Sequence, residues 1–360
     1  MLTGGASSYA ALQSRVRVMY GALLTPTDEA RLSESADLAT LIGLLKNTAY
    51  GPYLADLDDK ELNPKLVTGR IKKRISDLYQ TIIRSAPTHT RPLLIQFFRH
   101  FEVDNLKAIL RGIVIGASWE QVEAMLFPLG SFATLPAQTM LETGKIETAV
   151  TYLSNTPYYT TIISAMKRYT DEHSLFPLEV ALDLDYWRTL WNATKQLSGQ
   201  DREWAVKCIG PLLDMNNLMW SLRYRIYHHL SEEEVINYTL PIGYRLQDED
   251  IRAIAAGADI ASIIARRYPQ LPDVDEIFEK IDNMLPKLEI SIQRHNRQHL
   301  TAAFTGYPFH IGLPLAFLML LELELQDLTV LVEAKSARMK PEEIAHSLIL
   351  RSDAGERMLV

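Results

Sequence analysis

The side chains best suited to chemistry are histidines and carboxylates, and their spacing argues against most of the chemistry they could do. His295 and His299 lie four apart, which on a helix sets two imidazoles on one face in metal-ligand geometry. Position 296 is Asn, where a zinc protease carries its general-base Glu, so a solvated polar face is the expected reading. His228 and His229 are adjacent, point in different directions on a helix and precede a cap; the pull of a helix C-terminal dipole on cations accounts for them. Asp183 and Asp185, with Glu179, suggest an acid/base pair, but residues two apart on a helix do not face each other. No Gly-rich phosphate loop with Lys and Ser/Thr, no Gly-x-Gly-x-x-Gly and no Gly-x-Ser-x-Gly elbow occurs. The sequence thus nominates no catalytic residue, no cofactor-binding residue and no metal ligand. The basic run Lys65, Arg70, Lys72, Lys73, Arg74 reads as a solvated face, with an acidic partner or phospholipid head groups as the sharper alternative. Met215 and Met219 read as core.

What would position such residues is helical throughout. Tyr9 to Leu24 carries Leu12, Val16, Met19, Tyr20 and Leu23 at three- and four-residue spacing. Thr25, Pro26 and Asp28 then supply an N-cap, a first-turn proline and the capping-box partner of a second helix. Long arms are predicted at Pro64 to Arg84, Pro92 to Ile113, Leu178 to Leu197, Asp201 to Tyr227, Asp273 to about Leu300, and Pro314 to Arg338. Sustained period-2 alternation is absent, so the fold class is all-α.

The arms carry a repeat. Asp104, Asn105, Leu106 followed by Ser118 to Val122 returns as Asn217, Leu218 followed by Ser231 to Val235, and as Asp327, Leu328 followed by Lys340 to Ile344. The step from Asn105 to Asn217 nearly equals the step from Asn217 to Asp327. A second word, Ala36-Asp37-Leu38-Ala39-Thr40-Leu41-Ile42, returns two such steps on, at Ala258 to Ile264. A third, Leu45-Lys46-Asn47-Thr48-Ala49-Tyr50, returns one step on, at Leu153 to Tyr158. Three words sharing one period of about 110 residues decide architecture before any single residue does. Ser118 with Gln121 and Ser231 with Glu234 fit the capping box; Lys340 replaces the cap in the last copy, where Pro341 and Glu343 keep the rest. Three units are expected, at 9–100, 101–208 and 209–350, the last with a C-terminal partial copy. Leu106, Leu218 and Leu328 should occupy equivalent buried positions.

At 360 residues, with 47% hydrophobic and 22% charged side chains, the chain has ample material for a core and the balance of a globular protein. A net charge of −7 speaks against nucleic acid and allows basic partners. The single Cys208 implies no disulfide framework and a reducing compartment. Met1 to Ser8 lacks the pattern of a signal peptide. The longest apolar run, Ile311 to Leu321, is too short to span a bilayer, so any membrane association is expected to be peripheral.

The closing segment, Leu315 to Leu328 with its Glu322-x-Glu324 pair, followed by Pro341, Glu342, Glu343 and Ile344, resembles the C-terminal signature of the C (or d) subunit of V-type and A-type rotary ATPases. Tyr9 with Arg15, Val16 and Arg17, and the Asp104 to Arg111 word, are similar to the same family. The resemblance implies a funnel of three helical units with pseudo-threefold symmetry, without catalysis or cofactors. Its implied place is the cytoplasmic face of the membrane, where it joins the proteolipid ring to the central stalk and passes torque. A central concavity with a polar, predominantly acidic wall is expected to receive a basic stalk tip. The competing reading is an unrelated all-α repeat scaffold, for which periods under about fifty residues are usual.

Overall fold

The computed structural model describes residues 3–58, 62–271, 274–278 and 284–349. All regular structure among them is helical. Three hairpins form the body. The first pairs Pro64–Ser85 with Arg91–Phe98 and His100–Ile115; the second pairs Phe176–Gln196 with Gly199–Ile226; the third pairs Met284–Ala302 with Gly312–Ser336. The expected starting residue of the third hairpin, Asp273, lies outside the described residues. The single arm expected from Pro92 to Ile113 is two helices meeting at Arg99. There the Phe97 carbonyl accepts from His100 Nδ1 at 2.7 Å and from the Tyr186 hydroxyl at 3.3 Å, so side chains take an acceptor that a continuous helix would use.

The hairpins pack in a cycle. The outgoing arm of the second lies on the returning arm of the first, the outgoing arm of the third on the returning arm of the second, and Pro64–Ser85 on Gly312–Ser336. Gly312–Ser336 is also covered by the N-terminal helix Thr3–Tyr20 and by the second and third hairpins. Enclosure on all sides explains its unbroken apolar run: every residue from Gly312 to Leu321 is buried.

At one end the three hairpin turns meet. Asp201 accepts from the Tyr9 hydroxyl at 2.8 Å and from the Ile311 N–H at 2.8 Å, and lies 2.9 Å from His89 Nε2. The N-terminal helix straps this end. Gln13 donates to the His310 carbonyl, Arg15 to Ser85, and Tyr20 stacks on Phe304 with centroids 3.8 Å apart.

At the other end each returning arm stops on a left-handed residue: Gly116 (φ 65°), His229 (φ 50°) and Arg338 (φ 56°). Glycine adopts that conformation freely; the other two carry a steric cost of order 1 kcal/mol. A capped short helix follows each time. Ser118 and Ser231 accept from the N–H groups of Gln121 and Glu234, whose side chains accept in return, so both expected capping boxes form. Lys340 supplies only its N–H, 2.9 Å from the Glu343 carboxylate. Among the described residues no helix is long and apolar enough to cross a membrane. Cys208 is buried and unpaired, and burial pushes its thiol up to about 12.

Candidate functional site

The repeat word acts as a clamp. Asn105 donates to the Phe127 carbonyl at 2.8 Å and accepts the Phe127 N–H at 2.7 Å. Asn217 does the same with Leu240 at 2.9 and 2.8 Å. Asp327, which has no amide to donate, accepts the Ile349 N–H at 2.8 Å. In each case the partner lies 22 or 23 residues downstream, so the clamp folds the capped short helix back along its own arm. Leu106, Leu218 and Leu328, at 0 to 1% exposure, follow the clamp residue into the core as expected.

Three residues before each clamp stands a buried carboxylate: Glu102, Asp214 and Glu324. Each binds one tyrosine and a loop backbone. Glu102 accepts from the Tyr158 hydroxyl at 2.7 Å and from the Thr134 N–H. Asp214 accepts from the Tyr268 hydroxyl at 2.5 Å and from the N–H groups of Tyr244, Arg245 and Leu246 at 2.6 to 3.0 Å. Glu324 accepts from the Tyr50 hydroxyl at 2.7 Å and the Leu24 N–H at 2.6 Å. Burial raises the pKa of Asp214 and Glu324, and the donors around them pull the other way.

Tyr50 and Tyr158 close the word shared by residues 45–50 and 153–158. In both copies the threonine two positions earlier turns the chain: Thr48 bonds the Leu45 carbonyl and Thr156 the Leu153 carbonyl, each at 2.8 Å. The partners of Glu324 come from the opposite end of the chain, 300 and 274 residues away. Residues 24–50 therefore give the third arm what residues 134–158 give the first and 244–268 the second. The sequence reading named Tyr50 and Tyr158 only as members of a repeat word and did not name Glu102, Asp214 or Tyr268. Extending the repeat word three residues upstream to an acid in all three copies is the signal that would have found them.

The other candidates disperse. Arg74, expected on a solvated face, is buried over the Tyr50 ring at 4.2 Å and 3.7 Å from Glu324. Arg70 pairs with Asp56 at 2.6 Å, Lys73 with Asp77 at 2.5 Å, and Lys72 donates to the Met125 carbonyl at 2.9 Å. Arg70 and Lys73 make their pairs at the solvated surface, as expected, and Arg74, buried at 4% exposure, is the one correction to the solvated-face reading. Glu179 grips Arg111 through two bonds of 2.6 and 2.9 Å, and Asp183 pairs with Lys107 at 2.7 Å. These acids join the first and second hairpins, which leaves them poorly placed for acid/base work. His295 and His299 lie with Nε2 atoms 3.0 Å apart. His295 is buried, not on the solvated face expected, and burial holds its pKa below the usual range. No cluster of three or more ligands suited to a metal occurs among the described residues. His228 stacks on Phe176 with centroids 5.5 Å apart.

Where the two ends of the chain meet, a cleft of about 270 Å³ opens between Pro26–Glu34, Gly312–Ser336 and Pro341–Ala345. Both carboxylate oxygens of Glu29 are enclosed there without a hydrogen-bond partner. Burial, with Asp327, Glu324 and Asp28 nearby and Arg297 opposing, pushes Glu29 up to about 8. A carboxyl whose folded pKa is raised stabilises the fold at low pH, and that contribution is lost as pH climbs from about 4.5 through 8. Glu29→Gln, always neutral, is expected to flatten the fall in melting temperature between pH 5 and 8 relative to the parent chain. Parallel curves for the two proteins in thermal scans would refute a protonated Glu29.

The family model described as "ATP synthase (C/AC39) subunit" matches residues 12–347. The C subunit of the A-type ATP synthase of Methanocaldococcus jannaschii is 26% identical over 346 residues, covering 95% of this chain and 86% of the relative. The corresponding C subunit from Methanococcoides burtonii is 22% identical over 352 residues, covering 97% and 96%. That of Haloferax volcanii is 21% identical over 353 residues, covering 97% and 100%.

Proposed function

The chain belongs to the ATP synthase (C/AC39) subunit family, and from that premise we propose that it is the non-catalytic coupling subunit of a rotary ATPase, seated between the central stalk and the proteolipid ring on the cytoplasmic face of the membrane. The match over residues 12–347 carries this reading, together with relatives named as the C subunit of A-type ATP synthases that align over nearly their whole length. Torque transfer asks for a stiff body joined to two partners. The cyclic packing of three hairpins supports stiffness, because each arm is held by two neighbours and Glu324 ties the last arm to Leu24 and Tyr50. We further propose that the units at 9–100, 101–208 and 209–350 surround a pseudo-threefold axis as a funnel, and that a polar, acidic inner wall receives the stalk.

Affinity purification from native membranes tests the reading. The tagged chain should bring both proteolipid and stalk subunits, whereas recovery of neither would refute it. Isolated protein is also expected to show no nucleotide binding in calorimetry at micromolar ATP, since no phosphate-cradling loop occurs in the sequence.

A further inference from the structure

The cleft where the chain ends meet has the makings of a ligand site. Its volume of about 270 Å³ falls just under the roughly 300–1,000 Å³ of pockets for drug-sized molecules, which suits a ligand of a few heavy atoms. Five carboxylates line it, from Glu29, Glu34, Glu324, Asp327 and Glu342, with no lysine or arginine among the described lining residues. Glu324 and Asp327 accept from groups of this chain, on Leu24, Tyr50 and Ile349. Glu34 and Glu342 are exposed, which sets them at the mouth. Glu29 differs from both pairs: its two oxygens are enclosed and neither has a hydrogen-bond partner. The rest of the wall is largely apolar, with Leu32, Leu328, Leu331 and Leu348 buried along it.

An enclosed carboxyl without a partner is costly, and native folds rarely leave one. Its charged neighbours add to the cost. Asp28 on its own helix and Glu324 and Asp327 on Gly312–Ser336 all disfavour a negative charge there, while Arg297 on Met284–Ala302 opposes them without bonding to Glu29. On Pro341–Ala345 the group lining the cleft is another acid, Glu342. Lys335, within electrostatic reach of Glu342, is buried and donates to the Ser33 carbonyl at 2.6 Å. What the cleft lacks is therefore a cation from outside the chain. No group of three or more metal-ligating side chains converges among the described residues, and an inorganic ion makes no use of the leucines. An ammonium on an aliphatic stem uses both carboxyl and leucines, and the acids at the mouth add a place for a second ammonium.

We propose that this cleft binds an aliphatic diamine, with one ammonium on Glu29, the carbon chain along the leucines and the other ammonium between Glu34 and Glu342. Glu29 turns its carboxylate to the arriving ammonium and exchanges a proton for a paired charge. Free Glu29, pushed up to about 8, holds that proton at neutral pH, and an adjacent cation favours the ionised form. Binding therefore releases a proton, and affinity climbs with pH until Glu29 is ionised without help. A bound diamine touches Pro26–Glu34, Gly312–Ser336 and Pro341–Ala345 at once, so it stabilises the seam between the chain ends. The site is independent of the coupling reading above.

The full chain is titrated by calorimetry with putrescine, a four-carbon diamine, and with butylamine and magnesium chloride at matched ionic strength. Buffers of different ionisation heat read the proton release directly. The variants are Glu29→Gln, the mouth variant Glu34→Gln/Glu342→Gln, and the control Glu232→Gln/Glu233→Gln, which removes exposed acids from a different short helix. A melting temperature for each establishes that it folds. The parent is expected to bind putrescine at least about tenfold more tightly than butylamine or magnesium, more tightly at about pH 8 than at about pH 7, with proton release at the lower pH. Glu29→Gln should bind at least about tenfold more weakly and release no proton. The mouth variant should fall to the parent's affinity for butylamine but keep the proton release, and the control should match the parent. A parent chain that binds no putrescine at millimolar concentration overturns the proposal, as does parent-like binding by Glu29→Gln. Putrescine no tighter than butylamine or magnesium, or an equal loss in the control, overturns it too by reducing the effect to general surface charge. None of these readouts involves another subunit, so each such failure leaves the coupling reading standing.

Discussion

A chain lacking residues 1–57 is expected to show no cooperative unfolding transition. That segment contributes Tyr9, Leu12, Val16, Leu32, Leu41, Ile42, Leu45, Tyr50 and Leu54 to the core, all at 2% exposure or less. At about 1.5–3 kcal/mol for burying each large apolar side chain, their loss exceeds the roughly 5–15 kcal/mol by which a typical domain is stable. Removal also strips Glu324 of the Tyr50 hydroxyl and the Leu24 N–H, leaving a carboxylate inside the protein beside Arg74 alone. The segment has a discrete job: it completes the contacts of the third arm. Supplying residues 1–57 as a separate peptide should therefore restore a cooperative melt in circular dichroism. A truncated chain that unfolds as cooperatively as the intact one, at the same denaturant midpoint, would show that the third arm stands without its N-terminal partners.

Asp214→Ala has the next largest expected effect. The substitution leaves the N–H groups of Tyr244, Arg245 and Leu246 and the hydroxyl of Tyr268 without their acceptor, in a site whose carboxylate is 0% exposed. Orphaned buried donors cost about 1–3 kcal/mol each where water cannot reach them, and broken buried networks typically lose about 3–5 kcal/mol in total. For a chain of this length, at about 2 cal/mol/K of unfolding entropy per residue, that corresponds to a drop in melting temperature of roughly 4–7 °C. Asp214→Asn keeps one acceptor oxygen and should lose about half as much. Glu233→Ala, at an exposed position, should stay within about 0.5 kcal/mol of the parent. Equal denaturant midpoints for Asp214→Ala and Glu233→Ala would remove the buried carboxylates from any account of rigidity.

The truncation probes one architectural fact. A body assembled from like units is stiff only if its last unit meets its first. Here Glu324 on the last arm is bonded to Leu24 and Tyr50 near the other terminus, with Arg74 of the first hairpin stacked above Tyr50. Glu29 sits in the cleft at the same seam, where burial pushes its carboxyl up to about 8. Its titration is therefore expected to report on how firmly the ends are joined.

How much of this was legible in the sequence depends on the range of the interactions. Capping boxes at Thr25, Ser118 and Ser231 were readable because both partners lie within four residues, and a local backbone need selects their types. The all-helical class followed from periodicity, and the burial of Leu106, Leu218 and Leu328 from a repeat whose spacing survives substitution. Family membership was readable from the order of the helix-packing words along this chain, and the family match over residues 12–347 agrees with it. The tertiary structure alone decided which charges face water. Arg74 reads like its neighbours Lys72 and Lys73, yet a single turn of helix points it at Tyr50 and Glu324 while they reach outward. Asp183 and Glu179 look like surface acids or an acid/base pair until the second hairpin lies against Lys107 and Arg111. Closure of the third arm by residues 24–50 was hidden as well, because a contact between the two ends of the chain leaves no periodic trace: a period shows which segments are alike, and only packing in space shows which of them complete one another.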